Sequence, residues 1–340
     1  VLYQSPLRLT RKEKETATDE DVDREFQRLR NHTYDLEHGE CIAAVLFSHA
    51  PDTHTLILGF HHIVFDGFSA QIFVKDLATA LSGRYLPPLQ YQYTDFARRQ
   101  RAQVQNEMEE DFAFWKQEFS TLPTPVPLFD FCQVASRRSL TDYTTHRVQK
   151  TIPASTVHAF KGMVRQFHAT PFHGHLAVLQ LLLARFLDLT EVCIGITDAN
   201  RTDSDFLQTI GFFVNLLPLR FEILHDDTLE RLLQNTRDVA YRALQHSRVP
   251  FDALLDVLSV PRSTTENPLF QIVMNYRMGS IGKFKTNGLE AELLQFQDAR
   301  NPYDLIFNVE EQDDDTTVID VQSQSYLYSQ DDLEMLLNAY

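Results

Sequence analysis

The stretch Leu58-Gly59-Phe60-His61-His62-Ile63-Val64-Phe65-Asp66, followed by Gly67-Phe68-Ser69, constrains the fold more than any other part of the chain. Leu56, Leu58 and Phe60 fall on one face at period two, with Ile57 and Gly59 on the other, which is the pattern of a half-buried strand. Two histidines interrupt the apolar run. Four residues after His62 an Asp-Gly pair predicts a tight turn, because glycine tolerates positive φ. Phe68, Ile72 and Leu77 then recur at roughly helical spacing, so a helix opens there with Ser69 near its start. The histidines thus stand at a strand end, before a turn into a helix, where rigid elements hold an exposed side chain still.

Imidazole is the side chain best placed to take or give a proton near neutral pH. A carboxylate four residues on, Asp66, can order the loop or hold a cationic partner. Adjacent histidines point to opposite faces of a strand, so at least one of His61 and His62 is read as a packed, structural residue. The pair alone favours the structural reading slightly over the catalytic one. It argues against a metal site, since two neighbours on an extended strand do not ligate one ion and no Cys or Glu cluster stands nearby.

With 340 residues the chain can bury a large core and form two lobes. A formal charge of −16 argues against nucleic acid or an anionic membrane surface as the main partner. Cys41, Cys132 and Cys193 are few and far apart, which fits a reducing compartment rather than a disulfide framework. The most apolar run, Leu176 to Leu189, is broken by Gln180, Arg185 and Asp188 and is too short to span a bilayer. A soluble, cytoplasmic protein is the expectation. Val1-Leu2-Tyr3 reads like the interior of a domain, so the chain is expected to be an excised piece.

Along the chain the pattern is mixed α and β. Thr18 to Leu29 is an amphipathic helix, and Cys41 to Ser48 is a strand that pairs with Leu56 to Phe60 through a Pro51-Asp52 turn. The helix after Gly67 ends near Ser82-Gly83. Met108, Phe112, Trp115 and Phe119 form an aromatic stripe of the kind that packs a core. Thr121 to Pro127, with three prolines, is read as an interlobe linker, dividing the chain into residues 1–127 and 128–340. In the second part, strands are expected at 145–152, 192–196, 216–221, 270–276, 289–296, 305–310 and 317–328. Helices are expected from Pro153, from Thr170-Pro171, from Thr228 to Gln245 and over 331–340. The acidic run Glu310 to Asp315 reads as a solvated hairpin tip.

Several separated motifs together resemble the condensation domains of non-ribosomal peptide synthetases. His61-His62-Ile63-Val64-Phe65-Asp66-Gly67 matches the family's His-His-x-x-x-Asp-Gly motif, and Tyr93-Thr94-Asp95-Phe96-Ala97 its Tyr-x-Asp-Phe-Ala motif. Ile210-Gly211-Phe212-Phe213-Val214-Asn215, ending in Leu217-Pro218-Leu219-Arg220, is similar to its Gly-x-Phe-Val-Asn segment. Val249-Pro250-Phe251-Asp252 and Asn267-Pro268-Leu269-Phe270 are similar to the last two. Asp198 to Asp203, and Phe270-Gln271 leading to Asn275-Tyr276-Arg277, look most like the domains of fungal polyketide synthase–peptide synthetase hybrids. Two family motifs that precede the histidines have no counterpart here, which implies that the N-terminal lobe is incomplete. Glu266 stands where the family often has Arg, and Asp252 where it often has Glu.

The resemblance implies an α+β fold of two lobes, each an α/β two-layer sandwich like chloramphenicol acetyltransferase, in a V-shaped pair with the active site in a tunnel between them. It implies an acyltransferase that joins a carrier-bound acyl thioester, a polyketide here, to the amine of a carrier-bound aminoacyl thioester. His62 matches the residue that positions or deprotonates that amine. Gly67 matches the glycine that lets the backbone approach the reacting carbonyl. Asp66 matches the carboxylate that pairs with an arginine of the other lobe, here Arg201, and His61 is structural support. No metal or bound cofactor is implied. The substrates arrive on the phosphopantetheine of an upstream acyl carrier and a downstream peptidyl carrier with its adenylation domain. A docking module without turnover is the alternative. An epimerisation domain, a cyclisation domain and a coenzyme A acyltransferase fit the flanking motifs less well.

Overall fold

A computed structural model describes residues 9–13, 18–139, 141, 143–223, 227–279, 283–286, 289–297 and 300–340. They form two compact units. The first is drawn from Val1–Phe96, Asp203–Phe213 and Ile281–Ala299, the second from Ala97–Thr202, Val214–Ser280 and Arg300–Tyr340.

The first unit begins with β1 (Leu9–Glu13), α1 (Asp19–Arg30), β2 (Ile42–Ala50) and β3 (Thr53–Phe60). The sheet order is β1-β2-β3, with β1 parallel and β3 antiparallel to β2. Thr18 and Asp21 close a capping box at the start of α1, where three acidic residues meet the positive end of the helix dipole. The half-buried strand expected at β3 is present, and its covered face is the one that carries Ile57 and Gly59. Ile57 is 5% exposed and Leu56 40%. The reason is Gly59: a Cβ there would lie 2.5 Å from the Tyr34 hydroxyl and 3.4 Å from Leu29 Cβ, so the missing side chain admits α1 to that face. Leu29, Val45, Phe47 and Ile57 form the small core, with Val22 and Phe26 packed on it.

After a short 3₁₀ turn, α2 (Gly67–Leu81) follows. It ends in a Schellman motif: Gly83 has φ 70°, its N–H bonds the Ala80 carbonyl, and the Arg84 N–H bonds the Thr79 carbonyl. Helix α3 (Tyr93–Asn106) starts in the first unit and ends in the second.

In the second unit come α4 (Glu109–Glu118), β4 (Thr145–Ile152), α5 (Ala154–Gln166), α6 (Pro171–Phe186), β5 (Glu191–Asp198) and β6 (Asn215–Glu222). Then follow α7 (Leu229–Gln245), α8 (Phe251–Val257) and β7 (Ile272–Met278). The hairpin of β8 (Lys283–Thr286) and β9 (Leu289–Glu292) belongs to the first unit. The second unit closes with β10 (Leu305–Glu311), β11 (Thr317–Gln324) and α9 (Gln330–Ala339). Its six-stranded sheet has the order β4-β11-β10-β7-β5-β6, with β7 parallel to both neighbours. Ile194, Ile196, Ile272, Met274, Phe307, Val309, Ile319 and Val321 from the sheet share one core with Leu176, Leu179 and Leu183 of α6 and Leu333, Leu336 and Leu337 of α9. The aromatic stripe belongs to it: Trp115 is 1% exposed, and its indole N–H donates to the His246 carbonyl at 3.0 Å. The proline run at 121–127 also lies in this unit, where the Val126 N–H donates to Gln271 Oε1.

Several elements differ from their sequence expectation, among them β11, which ends at Gln324 rather than at residue 328. The strand expected over 289–296 ends at Glu292, and α8 falls in a region read only as a motif. The acidic run is not all hairpin tip. Glu310 pairs with Arg277 at 3.2 Å, and Glu311 accepts from Lys161 at 2.8 Å and from the Tyr276 hydroxyl, so both carboxylates serve neighbouring elements.

At α6 the capping box uses an unusual partner. Thr170 Oγ1 accepts from the His173 N–H, and His173 Nδ1 accepts from the Thr170 N–H at 3.2 Å. Burial, reinforced by Arg237, lowers the pKa of His173 from its ordinary 6.5 to about 4. Burial likewise lowers His175 to about 4; its Nδ1 meets the Tyr340 hydroxyl at 3.0 Å. Both histidines are therefore neutral when folded and bind protons more readily when unfolded. Their stabilisation is complete above the unfolded pKa and is lost as pH falls through 6.5 towards 4. Urea titrations between pH 7 and 4 are expected to show stability falling by up to about 3 kcal/mol per histidine. A His175→Phe variant is expected to flatten part of that slope, and an unchanged slope would refute its share.

Candidate functional site

Strand β3 ends at Phe60, and the His61 N–H extends its pairing by donating to the Cys41 carbonyl at 2.8 Å. The chain then makes a 3₁₀ turn over His62–Val64. His61 caps it: its Nδ1 accepts from the Ile63 N–H at 3.1 Å. His62 is exposed yet held from two sides. Its Nδ1 lies 2.5 Å from the Phe65 carbonyl oxygen, and the edge-on Phe212 ring has its centroid 4.8 Å away. A carbonyl only accepts, so Nδ1 carries a proton, and in the neutral ring the lone pair is therefore on Nε2. The ring nitrogen bonds that carbonyl and not the Asp66 carboxylate.

Asp66 is 3% exposed and is the N-cap of α2, with Ser69 in the first turn, near the helix start as expected. Its Oδ1 accepts from the Ser69 N–H at 2.7 Å and its Oδ2 from the Phe213 N–H at 2.9 Å. Ser69, fully buried, donates its hydroxyl to the Gly211 carbonyl at 2.9 Å and accepts from the Gly211 N–H at 3.1 Å. Two side chains from the first turn of α2 thus satisfy three backbone groups of the segment 211–213. From the other side the Tyr93 hydroxyl donates to the Phe212 carbonyl at 2.7 Å. A Cβ on Gly211 would sit 2.3 Å from the Tyr93 ring, so only glycine fits beneath it. Phe96, Phe206 and Phe213 complete an aromatic cluster under this segment.

Gly67 departs from its expected backbone role. It opens α2 and is not among the residues with positive φ. Among the described residues, and apart from its chain neighbours and its own helix backbone, no heavy atom lies within 4 Å of where its Cβ would be. Neither turn geometry nor packing among those residues requires a glycine there. As the first residue of the helix, its N–H has no intrahelical partner.

The structure therefore brings His61, His62, Asp66 and Gly67 into one turn of the first unit. Arg201 lies in the second unit, beyond the end of β5, after Asn200 at φ 51°. Sequence reading did not single out Ser69, Tyr93, Gly211 or Phe212 as parts of the site. A polar residue three positions after a helix-capping Asp was the available signal for Ser69. Asn215 and Val249–Phe251 meet too, within the second unit. Asn215 donates to the Ser247 and Val249 carbonyls at 2.8 and 2.6 Å and accepts from the Phe251 N–H at 3.0 Å, fixing the start of α8. Among the described residues no group of three His, Cys, Asp or Glu is arranged to hold a metal ion. No helix among them is long and apolar enough to cross a membrane.

A two-unit α+β fold with a doubled histidine capped into a strand-to-helix turn defines the class, and a family profile identifies it. The profile of the condensation domain matches residues 4–340, and the chain belongs to that family. Among curated relatives, the hybrid polyketide synthase–peptide synthetase LUC5 of a Fusarium species is 48% identical over the whole chain. The fusarin C synthetase of Gibberella fujikuroi is 43% identical, also over the whole chain. The chain spans about 8% of the length of each. Among solved structures, the condensation domain of the monacolin K polyketide synthase MokA superposes with a TM-score of 0.88 at 25% identity, covering 98% of this chain and 78% of that one. The epimerization domain of tyrocidine synthetase B reaches 0.76 at 19% identity, covering 99% of this chain and 79% of that one, so the fold alone does not choose the reaction.

Proposed function

We propose that this chain is the amide-forming condensation domain of a fungal polyketide synthase–peptide synthetase hybrid. It transfers a polyketide acyl group from a carrier thioester to the α-amine of a carrier-bound amino acid. The observation that carries this reading is the fixed tautomer of His62, which leaves a basic Nε2 on an exposed, immobilised ring. The amine nitrogen attacks the thioester carbon, the amine proton passes to Nε2, and as the C–S bond breaks the same proton passes from Nε2 to the departing thiolate, which restores the neutral imidazole. Orientation of two tethered substrates supplies much of the acceleration, and proton transfer by His62 adds about 10²–10⁴-fold. The substrates arrive on phosphopantetheine arms of separate carrier domains, and no diffusible cofactor takes part.

Asp66 holds the turn, and the Gly67 N–H stabilises the oxygen of the tetrahedral intermediate. The open space around Gly67 supports this, since nothing among the described residues accounts for the missing side chain. A Gly67→Ala variant is expected to keep or slightly raise the melting temperature, because alanine is the better helix former by about 1 kcal/mol. Its turnover is expected to fall about tenfold or more. Full turnover would remove Gly67 from the mechanism.

The whole assignment is tested with one carrier loaded with an acyl group and a second loaded with an amino acid. An amide on the second carrier is the expected product. Loaded carriers that bind and stay unreacted would leave a docking role, and an inverted α-carbon would indicate epimerisation.

A further inference from the structure

The face of the six-stranded sheet opposite α6 and α9 carries a row of polar side chains that crosses five adjacent strands. Thr197 of β5 donates its hydroxyl to Asn275 Oδ1 of β7 at 3.0 Å. Asn275 Nδ2 donates to Asn308 Oδ1 of β10 at 2.8 Å, and Asn308 Nδ2 to Asp320 Oδ1 of β11 at 2.8 Å. Gln322 Nε2 donates to the same Oδ1 at 2.9 Å, and Arg147 of β4 donates to Oδ2. Asn308 and Asp320 are 9% and 4% exposed, whereas Thr197 is exposed.

The anchored end dictates the polarity of every member. A carboxylate beside a guanidinium only accepts, so Asn308 must turn its NH₂ towards it and its oxygen towards Asn275. Asn275 must then turn its NH₂ to Asn308 and its oxygen to Thr197, and the Thr197 hydroxyl must donate inward. Its single proton is then engaged with Asn275, and its lone pairs are left to accept at an exposed position. Bonds aligned in one direction also polarise one another.

We infer that Thr197 Oγ1, held as an acceptor by this relay, binds an N–H group of the carrier-borne substrate. The inference rests on the condensation reading, which supplies two such groups: the amides of the pantetheine arm and the α-amine of the amino acid. A carbonyl or other pure acceptor is disfavoured, because it would have to take the Thr197 proton away from Asn275. Asn275 is one of the residues that look most like the fungal hybrids, and the relay gives it a task.

The test is equilibrium binding to the full chain, read by amide NMR shifts, with two probes. Pantetheine carries amide N–H groups without an amine, and glycine S-ethyl thioester carries an amine without an amide. At least one probe is expected to shift the Thr197 and Asn275 signals, and which one does so identifies the source. Thr197→Val keeps the shape and removes the acceptor. It is expected to raise Kd for that probe about 3- to 10-fold with an unchanged melting temperature, and Thr197→Ser to restore it. A role confined to holding the sheet would move the melting temperature and leave Kd alone. Failure of both probes to shift Thr197, or equal Kd values for wild type and Thr197→Val, overturns the inference. Neither readout needs turnover, so an absent amide product in the carrier assay would refute the condensing role without deciding this one.

Discussion

His62→Ala, assayed with both carriers loaded at neutral pH, is expected to lower amide formation by about 10²–10⁴-fold. The folded state should hardly notice. The ring is exposed, and its loss removes one hydrogen bond to the Phe65 carbonyl and the edge contact with Phe212, together worth about 1 kcal/mol. That separation of effects is the diagnostic. A rate that survives alanine would end the catalytic assignment, whatever the melting temperature. His62→Gln then distinguishes two roles, since an amide can hold an amine in place but cannot accept its proton. Retention of rate within about tenfold would point to positioning, and a loss equal to alanine's to proton transfer. His61→Ala should behave in the opposite way. It removes the acceptor for the Ile63 N–H at the head of the turn, so soluble yield and thermal stability are expected to fall first.

Asp66→Ala is expected to unfold more than it disarms. The carboxylate caps α2 through Ser69, a role worth about 0.5–2 kcal/mol, and its other oxygen satisfies the buried Phe213 N–H, which costs about 1–3 kcal/mol to leave unpaired. A loss of about 2–5 kcal/mol follows, visible as a lower urea midpoint at an unchanged slope. Asp66→Asn keeps a good capping oxygen and is expected to recover part of the loss. Ser69→Ala, which strips the Gly211 N–H and carbonyl of their partner, should resemble Asp66→Ala in size and raise no new chemistry. A midpoint within the error of wild type for Asp66→Ala would mean that Ser69, Tyr93 and the aromatic cluster suffice to hold the segment 211–213.

Much of this was legible in the sequence, for identifiable reasons. The pattern of β3, the helix after Gly67 and the capped helices at Thr18 and Thr228 follow from local periodicity and cap chemistry, which act over a few residues. The histidine turn was visible because a polar pair broke an apolar run. What did not show was anything decided by distant chain. No local pattern says that Ser69 faces Gly211, 142 residues away, or that Tyr93 lies over it. The covered face of β3 depended on a helix that Gly59 lets in, although on paper the other face, with Leu56, Leu58 and Phe60, is the more apolar. The Asp-Gly pair predicts a tight turn with positive φ open to the glycine, whereas Gly67 opens α2 and is not among the residues with positive φ.

The loan of residues 203–213 to the first unit bears on how such domains can be recombined. A crossover placed in the proline run at 121–127 would join a histidine turn from one parent to a Gly-Phe-Phe segment from another. Asp66, Ser69 and Tyr93 would then have to accept a foreign backbone at three hydrogen-bonded positions, one of which, Gly211, has no room for a side chain. Chimeras that carry 203–213 along with the N-terminal parent keep those partners matched. Chimeras that split them inherit a mismatch that no inspection of either junction would reveal.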